Sequence, residues 1–394
     1  MPVPGKMNYK HIYHAGNFAD VAKHVGLLFC IGALQRKDAA MFVLDSHAGR
    51  GYYDLQAAEA HKSGEAERGV QRLIESSIGE TALADYFEAI HARRGKRLAR
   101  YPGSPALIAG ALRPQDRALF VELMPAEARA ADREVESLGR VRMEIGDGYA
   151  ALKAFLPPEE RRGLVLIDPP YESLDELKLM LQAFADAYRR WPSGIFLMWY
   201  PIRSAAQRRT VHARFEALGI PKMLFADLAI HPDDAGVGLA GSGLMIVNPP
   251  YGADEYLSEA YAAIHKGIAT PDAGYVEVVR LTPRANGTIG RVCAALAYSL
   301  RTQIMDKNSL HDLLAKLHAE MTEALQNDPK SRESLSGTMQ DINRLVETSA
   351  DSSSAADESL PGRLERIAVQ FEADHPTLAA SARRLVDLLG EVGI

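Results

Sequence analysis

From Met41 to Val247 the chain shows short apolar runs, each closed by a polar or glycine-rich turn and separated by stretches with room for a helix. Met41–Asp45, Ala118–Glu122, Val141–Asp147, Leu164–Asp168, Gly194–Tyr200, Met223–Ala229 and Gly243–Val247 are predicted as successive strands. Seven strands alternating with helices predict an α/β domain built on a doubly wound, mostly parallel, Rossmann-like sheet. Ligands of such sheets bind beyond the carboxyl ends of the strands, so the residues that follow each run are where chemistry is expected.

Two segments do not fit a simple alternation. About 70 residues separate the first two strands, far more than one crossover helix needs, and this predicts an inserted helical subdomain over about 56–103. From Met305 the pattern changes. Leu310, Leu313, Leu314, Leu317, Met321 and Leu325 recur at helical spacing, as do Leu364, Ile367 and Phe371, so 305–394 is predicted as a separate all-α module of unknown partner. Its halves are joined by Thr348–Glu358, too poor in apolar residues to pack. The expected organisation is a domain over 1–282, a connector over 283–304 and the helical module.

Composition refines this picture. A chain of 394 residues with 47% hydrophobic and 24% charged content is of ordinary globular type. No apolar run reaches the roughly 18 residues of a membrane span, and Met1–Lys10 has no signal-peptide pattern, which leads to the expectation of a cytoplasmic protein with no membrane partner. The net charge of −6 is unevenly spread, +1 over 1–304 and −7 over 305–394, so the acidity belongs to the C-terminal module. Basic residues gather in the first part as Arg93, Arg94, Lys96, Arg97 and Arg100, and again as Arg203, Arg208, Arg209 and Arg214, either as solvated helix faces or as contacts for phosphates. Cys30 and Cys293 stand far apart in apolar surroundings, and this predicts reduced thiols.

The candidate chemistry lies at the strand ends. Asp45-Ser46-His47-Ala48-Gly49-Arg50-Gly51 has the glycines that let backbone approach a nucleotide. Glu122 ends the second strand, where a carboxylate can accept from both ribose hydroxyls of an adenosyl group, and Asp147-Gly148 ends the third, within reach of its adenine edge. After the fourth strand comes Asp168-Pro169-Pro170-Tyr171, with prolines that fix the backbone and leave carbonyls as acceptors. An exocyclic amino group is a poor nucleophile because its lone pair is delocalised into the ring. Asp168 and a carbonyl of the proline pair can accept both amino hydrogens, and Tyr171 can stack on the base. This loop therefore points to methylation of an amino group, with Asp168, Pro169 and Tyr171 as the catalytic set. Asn248-Pro249-Pro250-Tyr251 also fits the pattern, but it follows the seventh strand rather than the fourth and is expected to be structural. In the N-terminal segment His11, His14 and His24 lack a familiar metal-ligand spacing, so no metal is expected.

Tyr9 with His14-Ala15-Gly16-Asn17, Asp20 through His24, Asp45 through Gly51, Tyr101-Pro102-Gly103-Ser104-Pro105, Asp168 through Glu172 and Trp199-Tyr200-Pro201 form a combination that few other methyltransferases share. In these motifs residues 7–280 resemble the bacterial RlmJ family of 23S rRNA adenine-N6 methyltransferases, and the C-terminal module resembles a small uncharacterised bacterial helical domain. The resemblance implies a class I fold that uses S-adenosylmethionine and acts on 23S rRNA, naked or in an early assembly intermediate. It implies that Lys23, His24, His47, Ser104, Glu122, Asp147, Gly148 and Asp168 contact the cofactor, and that Tyr9 touches the RNA. A monomer is expected. The loop itself leaves open a DNA adenine, a protein glutamine with Asn248 active, or a scaffold that binds without turnover.

Overall fold

The computed structural model describes residues 10–293 apart from 77, 79–80, 92–95, 139, 173–174, 233–237, 271–272 and 284–288. Contacts divide the chain into two units, Met1–Tyr298 and Ser299–Ile394; the described residues all belong to the first. Tyr9 and the leucine-rich module lie outside them.

All seven expected strands form, within two residues of their expected starts and ends. They are β1 (Phe42–Asp45), β4 (Arg117–Glu122), β5 (Val141–Ile145), β6 (Gly163–Ile167), β7 (Ile195–Ile202), β8 (Met223–Ala229) and β9 (Gly241–Val247). The hairpin of β2 (Tyr52–Asp54) and β3 (Arg100–Pro102) stands apart as its own sheet. Two further strands, β10 (Tyr275–Pro283) and β11 (Ile289–Cys293), complete a main sheet of order β11-β10-β8-β9-β7-β6-β1-β4-β5. From β5 to β7 every pairing is parallel, whereas β9 runs antiparallel to both β7 and β8. Together these describe a class I methyltransferase sheet with a reversed strand inserted near one edge.

Two differences from the sequence reading concern boundaries. The insert is not purely helical, because Arg100–Pro102 pairs with Tyr52–Asp54 and closes it as a loop on a hairpin base. Part of the expected connector belongs to the sheet: β11 pairs with β10, and β10 with β8, both antiparallel. As an antiparallel addition β10 does not show the continuous apolar run of the central strands; Val278 and Val279 are buried, while Glu277 and Arg280 are only partly so.

Helices cover both faces. On one lie α1 (Phe18–Gln35), α5 (Ser104–Ala111) and α10 (Ala253–Ile268), with the insert helices α2 (Ala58–Ser63), α3 (Arg72–Glu75) and α4 (Ala84–Ala89) packed beside them. The helix α6 (Pro125–Val135) follows β4 and sends Val135 into the same core. On the other face lie α7 (Gly148–Phe155), α8 (Glu176–Arg190) and α9 (Ala205–Glu216). By length and composition α1 is apolar enough to cross a membrane, yet 67% of it is buried inside the fold, as a core helix is. Its start is fixed by Asn17, whose side chain accepts from the Asp20 N–H at 2.9 Å.

The β1–β6 pairing sets the site. Gly163 sits opposite Phe42 with φ of 153°, and a Cβ there would lie 1.8 Å from the Phe42 carbonyl oxygen. Backbone cannot yield as a side chain can. Gly163→Ala is expected to cost about 3 kcal/mol, read as a lower urea midpoint in tryptophan fluorescence. Trp191 and Trp199, the only tryptophans of the chain, both report on this domain. An unchanged midpoint would mean that the register is held by other contacts.

Candidate active site

Because β1, β4, β5 and β6 run parallel, their carboxyl ends share one edge, and backbone bonds lace the turns that leave it. Ser46 N–H donates to the Leu166 carbonyl at 3.0 Å, Ala48 N–H to Val121 at 2.9 Å and Gly146 N–H to Glu122 at 3.0 Å. Gly49, at φ of 66°, turns the β1 loop so that its N–H meets Glu122 Oε2 at 2.8 Å, while Met124 N–H meets Oε1 at 2.7 Å. Each oxygen of this buried carboxylate thus keeps acceptor capacity for another donor. Burial raises the Glu122 pKa against the pull of those two amides.

Asp147 caps α7, its Oδ1 accepting from Tyr149 N–H at 2.8 Å and Ala150 N–H at 3.3 Å. At the neighbouring Gly148 a Cβ would lie 2.0 Å from the Ser46 carbonyl oxygen, so the β5 and β1 turns touch there through backbone alone. His47 bonds Ser46 Oγ through Nδ1 at 2.8 Å and rests edge-on against Tyr149, and burial lowers its pKa to about 4, which leaves it neutral. Ser104, at the start of α5, donates to Asp45 Oδ2 at 2.6 Å. Burial lifts the Asp45 pKa to about 7; the Ser104 bond opposes this and the negative charge of Asp168 adds to it. Asp45 was not singled out in the sequence, although it heads the glycine turn.

Asp168 follows β6 and is half-buried, with Pro169 buried behind it. Its Oδ2 receives Lys23 Nζ at 2.5 Å, and the same ammonium donates to Asp20 Oδ1 at 2.8 Å. Burial works against the Lys23 charge, but Asp168 and Asp20 outweigh it and hold the pKa well above the ordinary lysine value. Asp20 is in turn fixed through Oδ2 by His11 Nε2 at 2.9 Å and Gly16 N–H at 3.0 Å. Burial would raise the Asp20 pKa; His11 and Lys23 reverse this and keep it well below the usual carboxylate range. Lys23, expected among cofactor contacts, bonds the carboxylate that heads the Asp168-Pro169-Pro170-Tyr171 loop. Its signal in the sequence was the Asn17-x-x-Asp20-x-x-Lys23 spacing, a helix cap followed by an i,i+3 pair.

The insert grips this N-terminal segment. Glu65 bonds His14 Nδ1 at 3.0 Å and Asn17 Nδ2 at 2.9 Å, and Val70 N–H donates to the Gly16 carbonyl at 2.8 Å. His24 turns to the same side, with Nδ1 2.9 Å from Tyr101 Oη, which is 3.1 Å from Tyr86 Oη. Burial and the nearby Lys23 charge lower its pKa to about 3.

Tyr171 stands at φ of 51°, donates from Oη to the Trp199 carbonyl at 2.7 Å and packs edge-on against the Trp199 ring at 5.6 Å. Its hydroxyl is therefore an anchor. The second Pro-Pro-Tyr loop lies elsewhere: β9 is antiparallel to β7, so its carboxyl end falls at the opposite edge of the sheet. There Asn248 Nδ2 donates to the carbonyls of Pro192 and Gly194, both at 2.8 Å, and Tyr251 is 92% exposed. Among the described residues no group of three His, Cys, Asp or Glu side chains has the arrangement of a metal site, and Cys30 is a buried free thiol.

Comparison with known proteins agrees with this arrangement. The family model described as ribosomal RNA large subunit methyltransferase D, RlmJ, matches residues 38–282, and a domain of unknown function, DUF4404, matches 310–394. The chain is 37% identical over 279 residues to ribosomal RNA large subunit methyltransferase J of Haemophilus influenzae, covering 70% of this chain and 99% of that protein. With the protein of the same name from Escherichia coli K12 it shares 35% over 278 residues, again 70% and 99% of the two chains. A crystal structure of a Legionella pneumophila protein superposes with a TM-score of 0.62 at 30% identity, covering 67% of this chain and 97% of that one. With the sheet order, the strand-end acids and these matches in agreement, the chain belongs to the RlmJ family of large-subunit ribosomal RNA methyltransferases.

Proposed function

We propose that the protein transfers a methyl group from S-adenosylmethionine to the exocyclic N6 amino group of one adenine in 23S rRNA, and that it does so in the cytoplasm. The observation that carries this reading is the Asp168-Pro169-Pro170-Tyr171 loop at the end of β6, on the same sheet edge as the strand ends that bear Glu122 and Asp147. When bound, S-adenosylmethionine supplies an electrophilic methyl on a sulfonium. The residues present fit an adenosyl group: Glu122 retains acceptor capacity for ribose hydroxyls, and the floor under Gly148 is so close that only a glycine is accommodated. His47 and Ser104 line the same edge, and His24 stands behind it as a neutral group.

Asp168 presents a carboxylate already held through Oδ2 by Lys23, which leaves Oδ1 for one amino hydrogen; the Pro169 carbonyl takes the other. Accepting both hydrogens directs the nitrogen lone pair out of the ring plane and stabilises the positive charge that grows on nitrogen. Tyr171, pinned by its hydroxyl to the Trp199 carbonyl, gives a fixed ring edge or face for the base. Lys23 acts on Asp168 and is a positioning residue in this scheme. Tyr9, outside the described residues, retains its proposed contact with RNA. The sharing of both histidine-neutral and acidic groups around one edge keeps a cationic ligand favoured.

Asp168→Ala is expected to lower transfer to an unmodified large-subunit rRNA transcript at least about 100-fold, with S-adenosylmethionine affinity within about twofold of the parent. Asn248→Ala should transfer normally. Radiolabelled methyl incorporation into rRNA, duplex DNA and a peptide pool in parallel checks both, and label in DNA alone would overturn the rRNA reading. A second expectation concerns pH. Because Asp45 titrates near 7, a cationic ligand binds its ionised form better, so affinity for S-adenosylmethionine should rise severalfold from pH 6 to pH 8. Calorimetric titration of Asp45→Asn should show a flat profile over that range; the same rise in the variant would assign it to another group.

A further inference from the structure

The two basic clusters of the sequence differ in how the fold treats them. In the first, Arg97 is paired with Glu67, and Arg100 with Glu134 at 2.5 Å while its guanidinium also covers the Tyr52 ring. In the second, Arg208 is turned inward against Asp227 and Glu277, within a buried set in which Tyr200 Oη donates to Asp227 Oδ1 at 2.5 Å. Arg214 is exposed but lies in the last turn of α9, about 14 Å along the helix from its start. Arg203 differs from all of these. It is exposed, and among the described residues no acidic side chain forms an ion pair with it.

Its position is set by β7. Ile167, the last residue of β6, pairs with Met198, so β7 continues for four residues beyond the end of β6 and forms a wall beside the Asp168 loop. Arg203 follows at the tip of that wall, about 13 Å from the level of Asp168 by strand rise. The tip is rigid. Gln207 Oε1 accepts from the Arg203 N–H at 3.2 Å, Ser204 Oγ accepts from the Gln207 N–H at 3.2 Å, and Gln207 Nε2 donates to the Pro201 carbonyl at 2.9 Å. The first turn of α9 holds no acidic residue to offset the charge.

We propose that Arg203 grips a backbone phosphate of the RNA strand next to the target base. The proposal rests on the rRNA reading above and adds a named contact to it. A guanidinium on a fixed loop, with no ion-pair partner among the described residues and on the rim of the site, holds a phosphate through two parallel N–H donors, and it discriminates position along the strand rather than base identity. The same logic removes the first cluster from RNA binding at Arg97 and Arg100, whose charges are already neutralised by glutamates.

The test is the salt dependence of binding. For the full-length protein and an unmodified large-subunit rRNA transcript, the slope of log affinity against log salt concentration is measured for the parent, Arg203→Gln, Arg203→Lys and Arg214→Gln. Loss of one phosphate contact lowers the magnitude of that slope by about 0.7 to 0.9. Arg203→Gln is expected to show this decrease and a severalfold weaker affinity, with S-adenosylmethionine affinity unchanged; Arg203→Lys should restore the slope, and Arg214→Gln should match the parent. A slope for Arg203→Gln equal to that of the parent, or a loss of S-adenosylmethionine binding in step with RNA binding, overturns the proposal. A parent protein that neither binds nor methylates the transcript refutes the rRNA reading itself, which is a distinct result.

Discussion

Lys23 carries a buried positive charge between two carboxylates, Asp20 on its own helix and Asp168 on the loop that follows β6, and much of the domain is arranged to keep it there. A charge removed from water costs several kcal/mol unless partners replace the lost hydration, and breaking such a set by deleting one member costs about 3–5 kcal/mol. The partners therefore have to be fixed in advance. Asp20 is fixed by His11 and by the Gly16 amide, and Gly16 by the insert through Val70; Asn17, held by Glu65, starts the helix that carries both Asp20 and Lys23. Asp168 comes from the other direction, off a central parallel strand whose register against β1 requires a glycine at 163. The insert and the sheet meet chemically at one ammonium group.

This explains why an insert of about 45 residues between β1 and β4 matters for a site at the end of β6. The hairpin of β2 and β3 closes the insert against the sheet, and β3 leads directly into Ser104, which bonds Asp45 at the end of β1. Tyr101 on the same strand takes His24, the residue after Lys23. A second hold on the N-terminal helix, beside those of Glu65 and Val70, and the support of the glycine turn thus come from one short segment, Arg100 to Ser104.

Much of this was legible in the sequence, and the limits have physical causes. The seven central strands were visible because strands buried on both faces need unbroken apolar runs, such as Gly163–Ile167. The strand-end residues Glu122, Asp147 and Asp168 were visible because parallel strands put their carboxyl ends on one edge. Strand β10 was missed because Glu277 and Arg280 interrupt its apolar run and Tyr275–Glu277 are only partly buried. The bond of Lys23 to Asp168 was not legible because the two lie 145 residues apart, and sequence spacing reports only the i,i+3 bond to Asp20. Two nearly identical Pro-Pro-Tyr loops leave the sheet at different edges, because the antiparallel course of β9 puts Asn248 at the far edge, where its amide hydrogens are spent on two backbone carbonyls.

The central claim is that Lys23 serves the acceptor carboxylate rather than the cofactor, and Lys23→Gln separates the two roles. Measured by single-turnover methyl transfer alongside S-adenosylmethionine affinity by calorimetry, the account predicts a transfer rate at saturating cofactor that falls at least about tenfold, near 1.4 kcal/mol, with affinity within about twofold of the parent. Retained cofactor binding also certifies that the variant is folded. A variant that binds S-adenosylmethionine much more weakly, yet transfers methyl at the parental rate once saturated, would contradict it.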